Sequence, residues 1–396
     1  MEKSPLEIAV ISHSYPTADD PGRAIFIKNE AHLISSDHHP EIHLPSVFSL
    51  PFQDAYSRNR NPLEEKLTLH PSTYVSVPGR RLSSITQRSL SSSLIKTVRK
   101  QDPDIVHLHA LYPTGLASNK LKRAGYPVVL TIHGGDWYYN LSHDRLMRRL
   151  IESLHHCNKI LCVGKKLLHD ISRYEPSLEK KLDHLPHGVD AELFCPDKTP
   201  GRSKEKLAWE KGKTHLLAVG NLFRVKGYDI LLRAFSELKP QNDYRLHIVA
   251  PRSDHDAKTE TEQLLDALNL RERVTFYGQK TPDELADFYR ASDLLVSSSR
   301  KEGFGLVIAE ALACGTPAVA TRSGGPEEIV TEETGILVAP EHPDELRTAL
   351  EEMIATKERY KSDELHRYIA ENFSLSAKRE KLNAVYRELS GIRPEN

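Results

Sequence analysis

Two glutamates eight residues apart, Glu302 and Glu310, bracket a glycine turn, and the run Glu302-Gly303-Phe304-Gly305-Leu306 continues through an apolar stretch to Gly315-Thr316-Pro317. It follows a strand-like run at 294–297 through a serine-rich turn. Gly303 and Gly305 let backbone N–H groups approach a ligand closely, and a helix expected to begin near Phe304 aims its positive end at whatever sits there. That is the chemistry of a phosphate cradle. The eight-residue spacing keeps the two carboxylates from lying side by side on one helical face, so a shared-proton pair is not expected. Each can instead accept hydrogen bonds from sugar hydroxyls flanking the phosphate. Taken alone, the pattern also fits an ordinary strand-to-helix turn with Glu302 in solvent.

A second cluster follows the run at 216–219: Gly220-Asn221-Leu222-Phe223-Arg224-Val225-Lys226-Gly227. Arg224 offers a planar fork for phosphate oxygens and Lys226 a mobile point charge, on a glycine-flanked loop just before a helix. Two cations and a helix start suit a leaving diphosphate, although such a turn by itself also reads as a solvated basic loop. In the first half, His133 stands at a strand end in Thr131-Ile132-His133-Gly134-Gly135-Asp136. A lone His there is commonly a satisfied polar residue, and the Gly-Gly-Asp turn after it shifts the reading toward function.

These residues need rigid elements behind them. Short apolar runs rich in Val, Ile and Leu alternate with longer amphipathic stretches, the pattern of parallel α/β structure. Strands are expected at 8–11, 41–48, 73–77, 105–109, 128–132 and 160–163, with helices at 84–100 and 141–156. The pattern restarts with strands at 216–219, 245–249, 274–277, 294–297, 318–320 and 336–338, and from residue 342 onward it is helical. Thr281, Pro282 and Glu284 spell a capping box. The Pro-rich polar segment 194–203 is the expected linker, and 51–71 an expected loop. The fold class is therefore α/β: two tandem Rossmann-like, doubly wound domains, 1–189 and 190–373. A C-terminal helix at about 374–396 is expected to pack back on the first domain. An active-site cleft is expected between the domains, at the carboxyl ends of both sheets.

The chain has 396 residues, ample for two cores, and a soluble composition. Its net charge of −1 gives no basis for a nucleic-acid partner. The charge is uneven: residues 1–189 carry 24 Lys+Arg against 19 Asp+Glu, and the chain totals of 54 and 55 leave 30 against 36 beyond. The basic first half could face an anionic acceptor or lipid headgroups, so peripheral contact at the inner face of a membrane is kept open. Cys157, Cys162, Cys195 and Cys314 show no paired spacing, which fits a reducing, cytoplasmic compartment. No signal peptide and no apolar run of spanning length are read.

The Glu302–Glu310 region joined to the Arg224/Lys226 loop resembles the donor site of the family-4 glycosyltransferases with the GT-B fold. Support comes from the His133 turn, from Leu185-Pro186-His187-Gly188-Val189-Asp190, and from Gly324-Gly325-Pro326-Glu327-Glu328. The resemblance implies that Glu310 binds the ribose hydroxyls and Glu302 the donor hexose. It implies that Arg224 and Lys226 hold the diphosphate with backbone amides around Phe304, Gly305 and Leu306, and that Asn221 and Gly303 lie among the donor contacts. His133 would reach the hexose near the reaction centre. There are departures. The stretch Ser14–Arg23 replaces the usual Gly-Gly turn, leaving Gly22 as the equivalent amide; His187 stands where Asn is usual; and Ala250-Pro251-Arg252-Ser253-Asp254 replaces a Gly-rich turn near the base.

The implied reaction is retaining transfer of a hexose from a nucleotide-diphosphate sugar to a hydroxyl of a carbohydrate, lipid-linked or small-molecule acceptor. Domain closure is implied with it, because the nucleotide belongs to the second half and His133 to the first. No Asp-x-Asp stands at a strand end, and no metal or other cofactor is expected. A sugar-nucleotide hydrolase or epimerase of the same fold, a phosphorylase, and a non-catalytic sugar-nucleotide-binding protein stay as alternatives.

Overall fold

The computed structural model describes residues 4–49, 62–76, 83–199, 201–239 and 243–391. The expected loop at 51–71 lies outside the described residues up to 61, as do Val77, Pro200 and residues 392–396 of the expected final helix; at its far end residues 69–71 are strand, not loop, because they pair with the neighbouring strand of the first sheet.

Runs apolar on both faces make strands that are covered on both faces, and such strands pair in parallel. The first sheet contains β1 (Glu7–Ile11), β2 (His39–Ser49), β3 (Leu69–Ser76), β4 (Ile105–His109), β5 (Val128–Ile132), β6 (Lys159–Cys162) and β7 (Leu182–His184). Their order is β3-β2-β1-β4-β5-β6-β7. The second contains β8 (Thr214–Val219), β9 (Tyr244–Val249), β10 (Val274–Tyr277), β11 (Leu294–Ser297), β12 (Ala318–Thr321) and β13 (Gly335–Val338), in the order β10-β9-β8-β11-β12-β13. Two parallel sheets with helical crossovers are the doubly wound α/β class that the periodicity indicated. Only β7 went unread; three residues are too few to show a period.

The chain divides into two compact units, Met1–Pro186 with Lys378–Asn396, and His187–Ala377. The core of the first joins Ile8, Val10, Ile42, Ile105 and Val129 of the sheet to Ile27 and Ile34 of the helix Ile25–Ile34. Leu382, Tyr386 and Leu389 of the helix Leu375–Leu389 complete it. Each such aliphatic side chain contributes roughly 1.5–3 kcal/mol when taken out of water.

The segment 194–203 is not a free linker. The Arg290 guanidinium donates to the carbonyls of Leu193 and Cys195, both at 2.6 Å, and Asp197 accepts from the backbone and hydroxyl of Ser203, both at 2.9 Å. Composition made the segment look loose because the cation that ties it down lies far away in sequence. The capping box forms as spelled: Thr281 Oγ1 accepts from the Glu284 N–H at 3.2 Å, and Glu284 accepts from the Thr281 N–H at 2.8 Å.

In each sheet the order reverses beside the first strand, between β1 and β4 and between β8 and β11. Loops leaving the carboxyl ends of strands at such reversals are where open α/β sheets bind ligands. The loops after β8 and β11 are the Arg224/Lys226 turn and the Glu302 turn.

Candidate functional site

In the second unit β8 ends at Val219, and Arg224–Lys226 form one 3-10 turn. Gly227 closes it at φ 66° and opens the helix Tyr228–Ser236. A Cβ on Gly227 would stand 2.1 Å from the Ser298 carbonyl oxygen, so the two loops touch where only glycine fits. The Ser298 hydroxyl donates to the Lys226 carbonyl at 3.0 Å, and the Arg300 N–H to the Val225 carbonyl at 2.7 Å. Arg300 then folds its guanidinium over the turn. One terminal nitrogen reaches the Arg224 carbonyl at 2.6 Å, and the fork pairs with Asp229 at 2.8 and 2.7 Å. Burial opposes ionisation of Asp229, but the Arg300 fork outweighs it and holds the carboxyl below its usual range.

This backbone grip sets the cations. Arg224 is exposed and Asn221 partly so. The Lys226 ammonium lies 2.6 Å from Glu302 Oε2, with the two side chains 24% and 18% exposed. The Ser299 hydroxyl also reaches Glu302 at 3.3 Å. Glu302 is pinned through its own backbone, its N–H on the Ser323 carbonyl at 3.0 Å and its carbonyl accepting from the Gly325 N–H at 2.9 Å. The Gly324-Gly325 turn therefore serves as the clamp for Glu302.

The helix after this turn starts later than expected. It runs Leu306–Ala313, with Gly305 capping it at φ 100°. Phe304 is no helix residue: its side chain is buried against His187 and Phe373, both rings 5.7 Å away. Only its backbone can face a ligand. The left-handed glycine ends the loop, and the first N–H groups of the helix that follows have no intrahelical partner. Gly303, Leu306 and Glu310 are partly buried. Glu310 lies in the second turn and accepts a hydrogen bond from the buried Tyr289 hydroxyl at 2.8 Å. Burial pushes the Glu310 carboxyl up to about 7, against the lowering effect of Tyr289.

Beyond the Glu302 turn, a cavity of about 370 Å³ opens at the carboxyl ends of β9 and β10. Its wall includes Leu222, Ala250, Ser253, Tyr277 and Gly278. The departing segment 250–254 is ordered by Leu222, whose N–H donates to the Arg252 carbonyl at 2.6 Å, and by Asp254, which caps the helix His255–Ala267.

In the first unit His133 follows β5. Its backbone N–H donates to Asp136 at 2.9 Å, and the same carboxylate takes the Leu111 N–H at 2.6 Å. Burial pushes the Asp136 carboxyl up to about 6. The His133 ring packs on Phe26 with centroids 4.7 Å apart, and its Nε2 stands 3.3 Å from Nδ1 of the buried His109. Burial, then His109, hold His133 well below the ordinary histidine range, so the ring is neutral at physiological pH. Gly22 is exposed in the turn that leads to the helix Ile25–Ile34, the helix that carries Phe26.

The structure thus gathers Arg224, Lys226, Glu302 and the 303–306 backbone in one place, at the reversal of the second sheet. His133 and Gly22 belong to the first unit. Sequence reasoning missed Arg300, Asp229, Tyr289 and His109. Arg300 and Asp229 stand within two residues of the Glu302 and Gly227 motifs, while Tyr289 and His109 are separated from Glu310 and His133 by 21 and 24 residues and gave no local signal.

Residues 10–193 match the family model described as Glycosyltransferase Family 4, and residues 201–372 that described as Glycosyl transferases group 1. A D-inositol 3-phosphate glycosyltransferase of Arthrobacter sp. (strain FB24) is 32% identical over 292 residues, 67% of either chain. Mannosylfructose-phosphate synthase of Agrobacterium fabrum is 31% identical over 56% of this chain and 49% of its own, and the chain spans about half the length of several such relatives. Among solved structures, sucrose-phosphate synthase from Thermosynechococcus elongatus aligns at a TM-score of 0.80, with 22% identity, over 97% of this chain and 98% of that one. Anabaena HepE, solved with UDP-glucose, aligns at 0.76, with 17% identity, over 97% and 100%.

Proposed function

The chain belongs to the family-4 glycosyltransferases, and from that premise we propose that it moves a hexose from a nucleotide-diphosphate sugar to an acceptor hydroxyl with retention of configuration and without a metal ion. One observation carries this reading: the Arg224–Lys226 turn is joined through Ser298 and Arg300 to the loop that presents Glu302 and the start of the helix Leu306–Ala313. These joined loops carry two cations, a carboxylate and a helix start, a set that suits a diphosphate with an attached sugar.

The roles follow from charge and reach. Arg224 and Lys226 take the diphosphate, with the N–H groups at the helix start; they stabilise the negative charge that grows as the sugar departs. Lys226 leaves Glu302 for the diphosphate, freeing the carboxylate for hexose hydroxyls. Glu310 receives the ribose hydroxyls, and the base lies beside segment 250–254 and the cavity there. His133, neutral, hydrogen-bonds the hexose. The bond from the anomeric carbon to the diphosphate oxygen breaks, and the bond to the acceptor oxygen forms on the same face. The acceptor proton passes to the departing diphosphate oxygen, so no side-chain base is needed.

The acceptor proposed is a phosphorylated sugar or polyol, since two of the relatives are named for phosphorylated small molecules. A nucleotide-sugar donor and four free cysteines fit a cytoplasmic location. Two measurements test the reading. NMR of the product should show the donor's anomeric configuration, and nucleoside diphosphate release should persist in excess EDTA. An inverted product, or a strict need for added Mg²⁺ or Mn²⁺, overturns it.

A further inference from the structure

Behind His133 lies a buried polar cluster that the proposed reaction does not use. Glu30, from the helix Ile25–Ile34, is 3% exposed; His107 and His109 of β4 and Tyr386 are fully buried; and Lys378 is 5% exposed. The Lys378 ammonium sits 2.6 Å from Glu30 Oε2. The other oxygen, Oε1, lies 3.4 Å from His109 Nε2 and 3.6 Å from His107 Nδ1, a charge contact outside hydrogen-bond geometry. His107 is fixed at both ring nitrogens, by the Tyr386 hydroxyl and by the Thr131 hydroxyl, each at 2.7 Å. His109 passes the line on, through Nδ1, to His133 Nε2 at 3.3 Å, the two rings stacked at 17°.

Glu30, His107 and His109 lie close enough to hold a metal ion. The wiring argues against one. An ammonium already neutralises the carboxylate, and both nitrogens of His107 are engaged. A dication would sit beside Lys378 in a buried site with no net negative charge to receive it.

The other use of a buried carboxylate beside an imidazole is to choose which nitrogen carries the proton. We propose that Glu30, paired with Lys378, acts through His109 as a positioning residue that fixes the tautomer and ring plane of His133. A carboxylate oxygen 3.4 Å from His109 Nε2 favours the proton there, because a positive N–H beside O⁻ is attractive and a lone pair beside O⁻ is repulsive. Nδ1 of His109 is then a lone-pair acceptor, and the facing nitrogen of His133, Nε2, carries its proton toward it. His133 thus keeps its proton on Nε2, with the ring plane set between His109 and Phe26. Burial opposes the charge on Glu30, but Lys378 and then His107 outweigh it and hold the carboxyl below its usual range. The inference rests on the reading of His133 as a donor-sugar contact.

The experiment is ¹⁵N–¹H correlation NMR on full-length, ¹⁵N-histidine-labelled protein, with His133 assigned by its loss in His133→Asn, alongside steady-state kinetics. The wild type should show His133 as the Nε2–H tautomer. Glu30→Gln/Lys378→Met, which removes both charges together, should mix the tautomers and lower kcat about tenfold while KM for the donor stays within about threefold, a split that marks a contact made mainly in the transition state. Glu30→Asp should recover most of kcat. An Nδ1–H tautomer of His133 in the wild type overturns the inference whether or not the variants fold. So does an unchanged tautomer in the folded double variant, and so does a stoichiometric divalent ion in the purified protein. If the tautomer shifts as stated but His133→Ala turns over normally, the relay stands and the reading of His133 as a donor contact falls.

Discussion

Lys226→Ala removes one charge that the structure shows in one place and the mechanism needs in another. The ammonium is held 2.6 Å from Glu302, and the side chains are 24% and 18% exposed. Such a partly solvated pair contributes roughly 0.5–1 kcal/mol. For a unit of about 190 residues that corresponds to a Tm lower by roughly 1–4 °C. Two effects on donor affinity oppose each other: the variant loses an attraction to the diphosphate, but it no longer has to part Lys226 from Glu302. Donor affinity should therefore stay within about an order of magnitude of wild type, since tenfold is 1.4 kcal/mol. Turnover has no such compensation. The charge on the departing diphosphate is larger in the transition state, and one preorganised contact of this kind is worth about 10²–10³ in rate. Calorimetry with the donor and a nucleoside diphosphate release assay on the same folded variant measure both quantities. Near-normal turnover would refute the leaving-group role of this turn, and a loss confined to affinity would make it a binding site alone.

Glu310→Ala should weaken donor binding by about 1.5–3 kcal/mol, the cost of a lost charge-assisted contact, measured by titration calorimetry; unchanged affinity removes the ribose assignment. The Glu310 carboxyl rises from 4.5 to about 7 on folding, so between those values the native state binds more protons and stability falls as pH rises. Glu310→Gln should flatten that part of the denaturation-midpoint profile, and an identical slope in both proteins contradicts the buried carboxyl. Asp136→Asn leaves one of two backbone N–H groups, of Leu111 or His133, facing an amide NH₂; urea unfolding should show a loss of about 1–3 kcal/mol. Arg300→Lys cannot keep the fork to Asp229 together with the Arg224 carbonyl, and kcat/KM should drop at least about tenfold through a displaced turn; a wild-type value would show that the turn holds itself.

The legible parts of this protein were those written locally. Twelve of the thirteen described strands announced themselves as apolar runs, and the capping box at Thr281 carried all its ligands within four residues. Glu302, Lys226 and Arg224 were singled out because each sits in a compact motif, and the structure joins the loops that carry them. Physics hid what depends on distant partners. Arg300 and Asp229 are 71 residues apart, and nothing in either neighbourhood names the other. The helix start slipped by two residues because Gly303 and Gly305 look alike in sequence, and only the backbone reveals that Gly305 is the left-handed cap. Segment 194–203 showed its prolines but not the guanidinium of Arg290 that fastens it.

The helix Leu375–Leu389 also bears on how the protein is made. His107 and Tyr386, 279 residues apart, share a buried hydrogen bond, and Lys378 supplies the countercharge to a carboxylate near the other end of the chain. On the ribosome the first unit thus emerges lacking part of its core, with Glu30 unpaired, while the entire second unit is still being synthesised. Its final closure has to wait for residues 378–389. A nascent chain stalled before residue 378 should accordingly leave its first unit open to protease and bound by chaperones, whereas the same chain with Leu375–Leu389 supplied as a separate peptide should become protected.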